Sequence, residues 1–185
     1  YNTAVGYTAL EKITDADYNT AIGQAAAQNL TTGNQNVFIG NSAGITSVTS
    51  AFNIMIGVSA GLSATDVDNT VLIGWNAGRN ITADGTIAIG YQALLEHTTG
   101  ARNIAIGRDS LGALTTGEKN VAVGRLSGAA ITDSEDNVAI GQQSLQATTT
   151  GDRNIAIGTR ALYTSTTISD NVAVGHEALT ANRTG

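Results

Sequence analysis

Two short segments match the G-x-S-x-G pattern of a hydrolase nucleophile elbow, in which a serine on a sharp turn attacks a carbonyl carbon. They lie at residues 40–44 and 57–61. A serine nucleophile also needs a histidine base and an acidic residue that orients it. The two histidines, His97 and His176, are distant from both segments, and the next equivalent segment has Asn76 in place of serine. We therefore interpret the matches as coincidental and predict that the protein is not an enzyme.

Two pairs of aspartates could offer carboxylates to a calcium ion: Asp15 with Asp17, and Asp66 with Asp68. Calcium requires six or more oxygen ligands, and the chain lacks the glycine-rich nonapeptide of calcium-binding β-rolls. Aspartate is also common in turns because its side chain bonds the local backbone. We predict turn residues here, with no metal and no other cofactor.

Four side chains that could bind a ligand are spaced by 16, 17 and 17 residues: Trp75, Tyr91, Arg108 and Arg125. Aromatic rings beside arginine can stack on a sugar, and exposed aromatic patches often mark binding sites. The alternative is that these are tolerated surface residues at an irregularity of the repeat described below. The pattern leaves both interpretations open.

Threonine recurs at almost the same spacing. The column is Thr14, Thr31, Thr65, Thr82, Thr98, Thr115, Thr132, Thr149 and Thr166, with Val48 as the exception. A regular threonine column on a flat face would suit an ice-binding surface. Glycine or aspartate follows close behind most of these threonines, which indicates a turn in which threonine bonds the local backbone.

Asparagine forms a third column at this spacing. Its members are Asn2, Asn19, Asn36, Asn53, Asn103, Asn120, Asn137, Asn154 and Asn171, with Thr70 and Thr86 in the gap. Stacked amides could bind a ligand. Hydrogen bonding to buried turn backbone is the better explanation, because buried polar groups need partners. We predict a structural ladder.

All these columns follow one repeat, marked by glycines at positions 6, 23, 40, 57, 74, 90, 107, 124, 141, 158 and 175. Every interval is 17 residues except the 16 between Gly74 and Gly90. A fixed period of this kind indicates a solenoid, in which each unit stacks on its neighbours. We number positions within a unit, or coil, from its landmark glycine.

The residues before each landmark glycine predict a short β-strand. Positions −3 and −1 are β-branched in all eleven units, and position −2 is Ala in eight. Residues two apart point to the same side of a strand. The glycine would end the strand because the backbone turns with positive φ or approaches another backbone closely. A second apolar stretch at +3 and +4, often Ala-Leu, predicts a second strand in each coil.

Side-chain volumes at positions −2 and +4 compensate each other. Where position −2 is large (Phe38, Met55, Leu72), position +4 is glycine (Gly44, Gly61, Gly78), and elsewhere +4 is Leu in six of eight units. This predicts one packed space shared by both positions. One coil has too little core to be stable alone, so we expect both strand faces to be buried, one of them against further copies of the chain. In that homotrimer the Ala column at −2 would allow close approach of the chains around the threefold axis.

Composition excludes several classes of function. The net charge is −6 with only 13% charged residues, which argues against nucleic-acid binding. No apolar run reaches the ~20 residues of a membrane span, so this segment is not expected to insert into a membrane. The first residue already lies within a repeat, and residues 183–185 stop where another unit would begin, so we expect a segment of a longer fibrous protein.

The phrase N-x-A-[IV]-G followed by x-x-[AS]-L, as in residues 103–111, resembles the head repeats of YadA-like trimeric autotransporter adhesins. It is also similar to repeats of bacteriophage tail fibres, in which T-T-G turns recur as at residues 98–100. The resemblance implies a left-handed β-roll, a homotrimer, and an extracellular, cell-surface or virion location with a glycan or protein receptor. The 17-residue period departs from the shorter repeat of the typical autotransporter head.

Together these observations predict an all-β parallel solenoid of eleven coils that occupies residues 1–185 as one array. The expected function is that of a structural and adhesive fibre segment for receptor or host attachment. Ice binding through the threonine column is the alternative.

Overall fold

The computed structural model describes residues 1–181; residues 182–185, after which a further unit was expected, lie outside the described part. It contains eleven three-residue strands. They are β1 Thr3–Val5, β2 Thr20–Ile22, β3 Val37–Ile39, β4 Ile54–Ile56, β5 Val71–Ile73, β6 Ile87–Ile89, β7 Ile104–Ile106, β8 Val121–Val123, β9 Val138–Ile140, β10 Ile155–Ile157 and β11 Val172–Val174.

The strands form a single parallel sheet in chain order, β1 to β11. Each strand pairs in register with the strand one repeat away, as Ile104 does with Val121. The 16-residue unit keeps this register, because Val71 of β5 pairs with Ile87 of β6. Residues 1–181 contain no helix, so the predicted all-β solenoid is confirmed, with about ten turns. At ~4.8 Å per coil the sheet is roughly 50 Å long.

Side chains alternate along each strand, so that position −2 points into the coil and positions −3 and −1 point outward. Ala105 of β7 is fully buried, whereas its neighbour Ile106 is 37% exposed. The same holds for Leu72 between Val71 and Ile73. The prediction that −3 and −1 share a side is confirmed. The prediction that the Ala column at −2 lets chains approach one another is wrong, because those side chains fill the interior of the coil.

Volume compensation between positions −2 and +4 is confirmed inside the coil. A Cβ added at Gly61 would lie 2.5 Å from the Met55 sulfur, and one added at Gly78 would lie 2.5 Å from a Leu72 methyl carbon. Where position −2 is Ala, a leucine such as Leu111 occupies the same space and is fully buried. The interior therefore holds about one large side chain for each −2/+4 pair.

The second apolar stretch of each coil is not a strand, contrary to the sequence prediction. Positions +2 and +4 are left-handed, with φ of 55° at Asp109 and 47° at Leu111. This backbone curves too strongly for a strand, although it still bonds the next coil, as the Leu111 N–H does to the Ser127 carbonyl at 3.0 Å. Each coil therefore has one strand and a hydrogen-bonded turn around the rest of its core.

The structure shows both features predicted for the landmark glycines, a positive φ and a close approach of the next coil's backbone. Gly107 has a φ of 134°, and an added Cβ would lie 2.5 Å from the Gly124 carbonyl oxygen of the next coil. A side chain here would strain the backbone and separate the two coils. The column of landmark glycines is thus a direct requirement of coil stacking.

Candidate ligand-binding surface

The four candidate ligand-binding residues lie at position +1 of four consecutive coils, just beyond the glycine that ends each strand. All four are exposed. The Trp75 and Tyr91 rings stack with centroids 4.9 Å apart and planes 16° from parallel. The Arg108 guanidinium lies over the Tyr91 ring, 5.3 Å from its centroid. We call Trp75, Tyr91, Arg108 and Arg125 the aromatic–arginine row.

Stacking along the row determines which surfaces a ligand can reach. Tyr91 lies between Trp75 of the preceding coil and Arg108 of the following coil, so both of its ring faces are covered. A sugar cannot lie flat on Tyr91 in this arrangement. The ring edges, the Tyr91 hydroxyl, the Trp75 N–H and the guanidinium N–H groups remain available, and the two aromatic residues are still 43% and 44% exposed.

The two arginines of the row differ in their partners. The Arg108 Nε donates to the Asp109 carboxylate at 3.1 Å. Arg125 has neither an ion pair nor a side-chain hydrogen bond with any residue of the described chain. Of the four residues predicted from the spacing, Trp75, Tyr91 and Arg108 are in direct contact, and Arg125 lies one coil further on.

The asparagine column forms the predicted ladder. The Asn120 backbone N–H donates to the Asn103 Oδ1 at 2.9 Å. The Asn120 side-chain amide donates to Asn103 Oδ1 at 3.2 Å and to the Ser134 carbonyl at 2.7 Å. Asn137 repeats the first of these contacts on Asn120. Because these amides are buried and bonded to one another and to turn backbone, their geometry matches a structural role.

The ladder changes at Thr70 and Thr86, and a buried histidine stands next to the gap. The Thr70 hydroxyl donates to Asn53 Oδ1 at 2.7 Å, whereas the Thr86 hydroxyl donates to the Asp84 carbonyl at 3.5 Å and does not extend the ladder. On the far side of the gap, the Asn103 amide lies 3.1 Å from the Nε2 of His97.

His97 is fully buried, and its Nδ1 has no partner within the described residues. Burial lowers its pKa to about 4, against a smaller opposing effect from the Gly100 backbone. The sequence did carry a signal of this burial, since position +7 holds Ile81 in the preceding coil and Leu114 in the following one.

The threonine column lies in the turn that closes each coil. The Thr98 hydroxyl donates to the Thr115 carbonyl, and the Thr115 hydroxyl donates to the Thr132 carbonyl, both at 2.9 Å. Thr31 makes the same contact with the carbonyl of Val48, the exception in the column. The threonines do lie in turns, as predicted, but their hydroxyl protons bond the backbone of the next coil and not the local backbone of their own turn.

The other candidates from the sequence are not brought together. Ser42 lies on a positive-φ turn and donates to its neighbour Asn41, several coils away from His97. Asp66 accepts from the Thr49 backbone at 3.0 Å, which lowers its pKa, and Asp68 accepts from the Ala51 N–H at 2.7 Å. Within residues 1–181 no three acidic, His or Cys side chains group as metal ligands, and no pocket forms.

A continuous apolar surface is formed by the outward side chains at −3 and −1 of all eleven strands, which we call the apolar ribbon. All are Val or Ile except Thr3 and Thr20. Ile140, Ile155 and Ile157 are each more than a third exposed. Position +1 borders this ribbon in sequence, so the aromatic–arginine row lies beside it.

Residues 1–181 form no helix that could span a membrane. Comparison with known proteins finds no matching family model, no matching curated protein and no matching solved structure. Function is therefore inferred from the geometry of the two exposed surfaces, the apolar ribbon and the aromatic–arginine row.

Proposed function

We propose that this chain is a structural and adhesive fibre segment, extracellular or carried on a virion, which assembles as a homotrimer and presents its outer surface to a receptor. The apolar ribbon is the observation that carries the proposal. The resemblance of the repeat to autotransporter heads and phage tail fibres supports the same class.

The ribbon measures roughly 50 Å by 10 Å, or about 500 Å² in projection. Its β-branched side chains alternate with a fully buried column, so the outward face contributes nothing further to the chain's own core. Contiguous apolar surfaces of this size commonly mark interfaces between proteins. Further copies of the same chain are its natural cover, because an identical repeat in each copy supplies an identical flat ribbon along the whole length.

Trimerisation can be tested by sedimentation of the chain at micromolar concentration. We expect a trimer that dissociates in the variant Ile106→Lys, because the ammonium group would be placed within the buried ribbon. Ile45→Lys is the matched control, since Ile45 is partly exposed at position +5, away from the ribbon. A stable, well-folded wild-type monomer would require the trimer to be abandoned.

Adhesion can be tested by binding of the labelled wild-type chain to bacterial and host cell surfaces. The rival function, ice binding by the threonine column, has less support because hydroxyls such as that of Thr98 already bond the next coil. Thermal hysteresis that disappears in Thr98→Tyr and Thr115→Tyr, without surface binding, would favour that rival.

A further inference from the structure

We infer that the aromatic–arginine row binds an acidic glycan, with Arg108 and Arg125 holding its carboxylate or sulfate groups and the glycan chain running along the solenoid axis. This inference deepens the proposed adhesive function and rests on it. It goes further by assigning the chemical class of the ligand and its direction.

Placement of like charges is the first observation. Three exposed arginines outside the row pair with a carboxylate one coil further along: Arg102 with Glu118 at 3.5 Å, Arg153 with Asp170 at 2.6 Å and Arg160 with Glu177 at 3.3 Å. Arg108 instead pairs with its sequence neighbour Asp109, and the equivalent position of the next coil, ~4.8 Å along the axis between backbones, holds another arginine, Arg125. Like charges placed opposite each other in neighbouring strands are unfavourable, and an anion bound between them would relieve the repulsion.

The second observation is the balance of donors and acceptors. Arginine and the Trp75 N–H only donate hydrogen bonds, and position +1 contains no Asp or Glu in any coil. Among residues 1–181, the one carboxylate that pairs with the row is Asp109, which belongs to the neighbouring position and engages Arg108 alone. A surface rich in donors and poor in acceptors selects a ligand that accepts, which carboxylate and sulfate groups do.

Rigidity is the third observation. The Arg108 side chain is held between the Tyr91 ring and the Asp109 carboxylate, and Tyr91 is itself stacked on Trp75. A guanidinium fixed in this way loses less conformational entropy on binding than a free one. The row is therefore organised before the ligand arrives.

The shape of the row favours an extended glycan. Three coil steps separate Trp75 from Arg125, which gives about 14 Å, the length of a short oligosaccharide. The surface of residues 1–181 has no pocket to enclose a single sugar. The exposed parts of the Trp75 and Tyr91 side chains supply apolar contact area for the C–H groups of a sugar chain.

Titration calorimetry of the chain with three oligosaccharide series tests this inference: galacturonate oligomers for carboxylates, heparin-derived oligomers for sulfates, and neutral maltose oligomers. We expect one acidic series to bind, with an affinity that rises with oligomer length until the row is spanned. Arg108→Gln with Arg125→Gln should weaken binding about tenfold or more. Trp75→Leu should weaken it less.

The matched control is Arg79→Gln with Arg102→Gln, which removes the same charge from exposed arginines outside the row. We expect less than a twofold effect. An equal loss of affinity in both double variants would mean that binding depends on general charge attraction and not on this row, which would overturn the inference. Equal binding of the neutral oligomers, or no binding of either acidic series, would also overturn it. Trimerisation and cell-surface binding are measured on the same wild-type sample. If both are observed but no acidic glycan binds, the glycan site is rejected and the proposed fibre function is retained.

Discussion

His97 makes the stability of the solenoid depend on pH in a window that can be calculated. Its ring is buried at position +7, where Leu114 and Ile131 fill the same place in the following coils. No other ionisable side chain is buried within residues 1–181. Protonation would therefore place an unpaired charge in the core, and burial lowers the pKa of His97 to about 4 from its ordinary 6.5.

The folded pKa is lower than the unfolded one, so the unfolded chain binds the proton first. The stability contributed by neutral His97 is complete above pH 6.5 and is lost progressively as the pH falls towards 4. Over that window the loss amounts to about 3 kcal/mol per chain. Asp66 and Asp170, whose pKa values are lowered by hydrogen bonds from Thr49 and Arg153, weaken the fold only below their ordinary 3.8.

Urea unfolding of wild type and His97→Leu across this pH range is the appropriate assay. We expect the wild-type midpoint to fall with acidity, whereas the variant keeps a nearly constant midpoint because leucine is tolerated in the same column at Leu114. His176→Leu, at an exposed site, should behave as wild type. If His97→Leu loses stability as steeply as wild type between pH 6.5 and 4, the reasoning is refuted.

Three substitutions test coil packing by urea unfolding, with circular dichroism as the probe. Gly61→Leu should overpack the core beside Met55 and cost about 1–3 kcal/mol per chain, so an unchanged midpoint would show that the interior has spare room. Gly107→Ala should cost more than Gly112→Ala, whose added Cβ meets nothing closer than 3.4 Å; equal costs would mean that close coil approach is not the constraint. Asn120→Ala should cost about 2–3 kcal/mol by leaving buried backbone groups unpaired, and a cost near zero would show that water replaces the ladder.

The regular part of the fold could be predicted from sequence because each column of identical residues is explained by one packing or hydrogen-bonding requirement. Gly107 repeats because a Cβ would meet the next coil, and Asn120 repeats because buried amides need partners in both neighbouring coils. Strands were predictable because the β-branched pair recurs without exception.

The curved half of each coil could not be predicted in the same way. Leucine rarely adopts positive φ, so nothing in the residue type of Leu111 indicates a left-handed backbone, and the apolar stretch was interpreted as a strand. The inward direction of position −2 also depends on that curvature. For the aromatic–arginine row, the repeat spacing predicted that the four residues share one column. It could not predict that Trp75 and Arg108 cover the two faces of the Tyr91 ring, because that depends on side-chain stacking.

Each strand of the sheet pairs only with the strand one repeat before it and the strand one repeat after it. Gain or loss of a whole unit by gene duplication or deletion would therefore lengthen or shorten the rod by one step of ~4.8 Å and leave every other contact unchanged. An insertion of another length would have to be absorbed in the turns, as the 16-residue unit between Gly74 and Gly90 absorbs its missing residue while β5 and β6 stay in register. The reach of such a fibre can thus evolve in small increments without any redesign of its core.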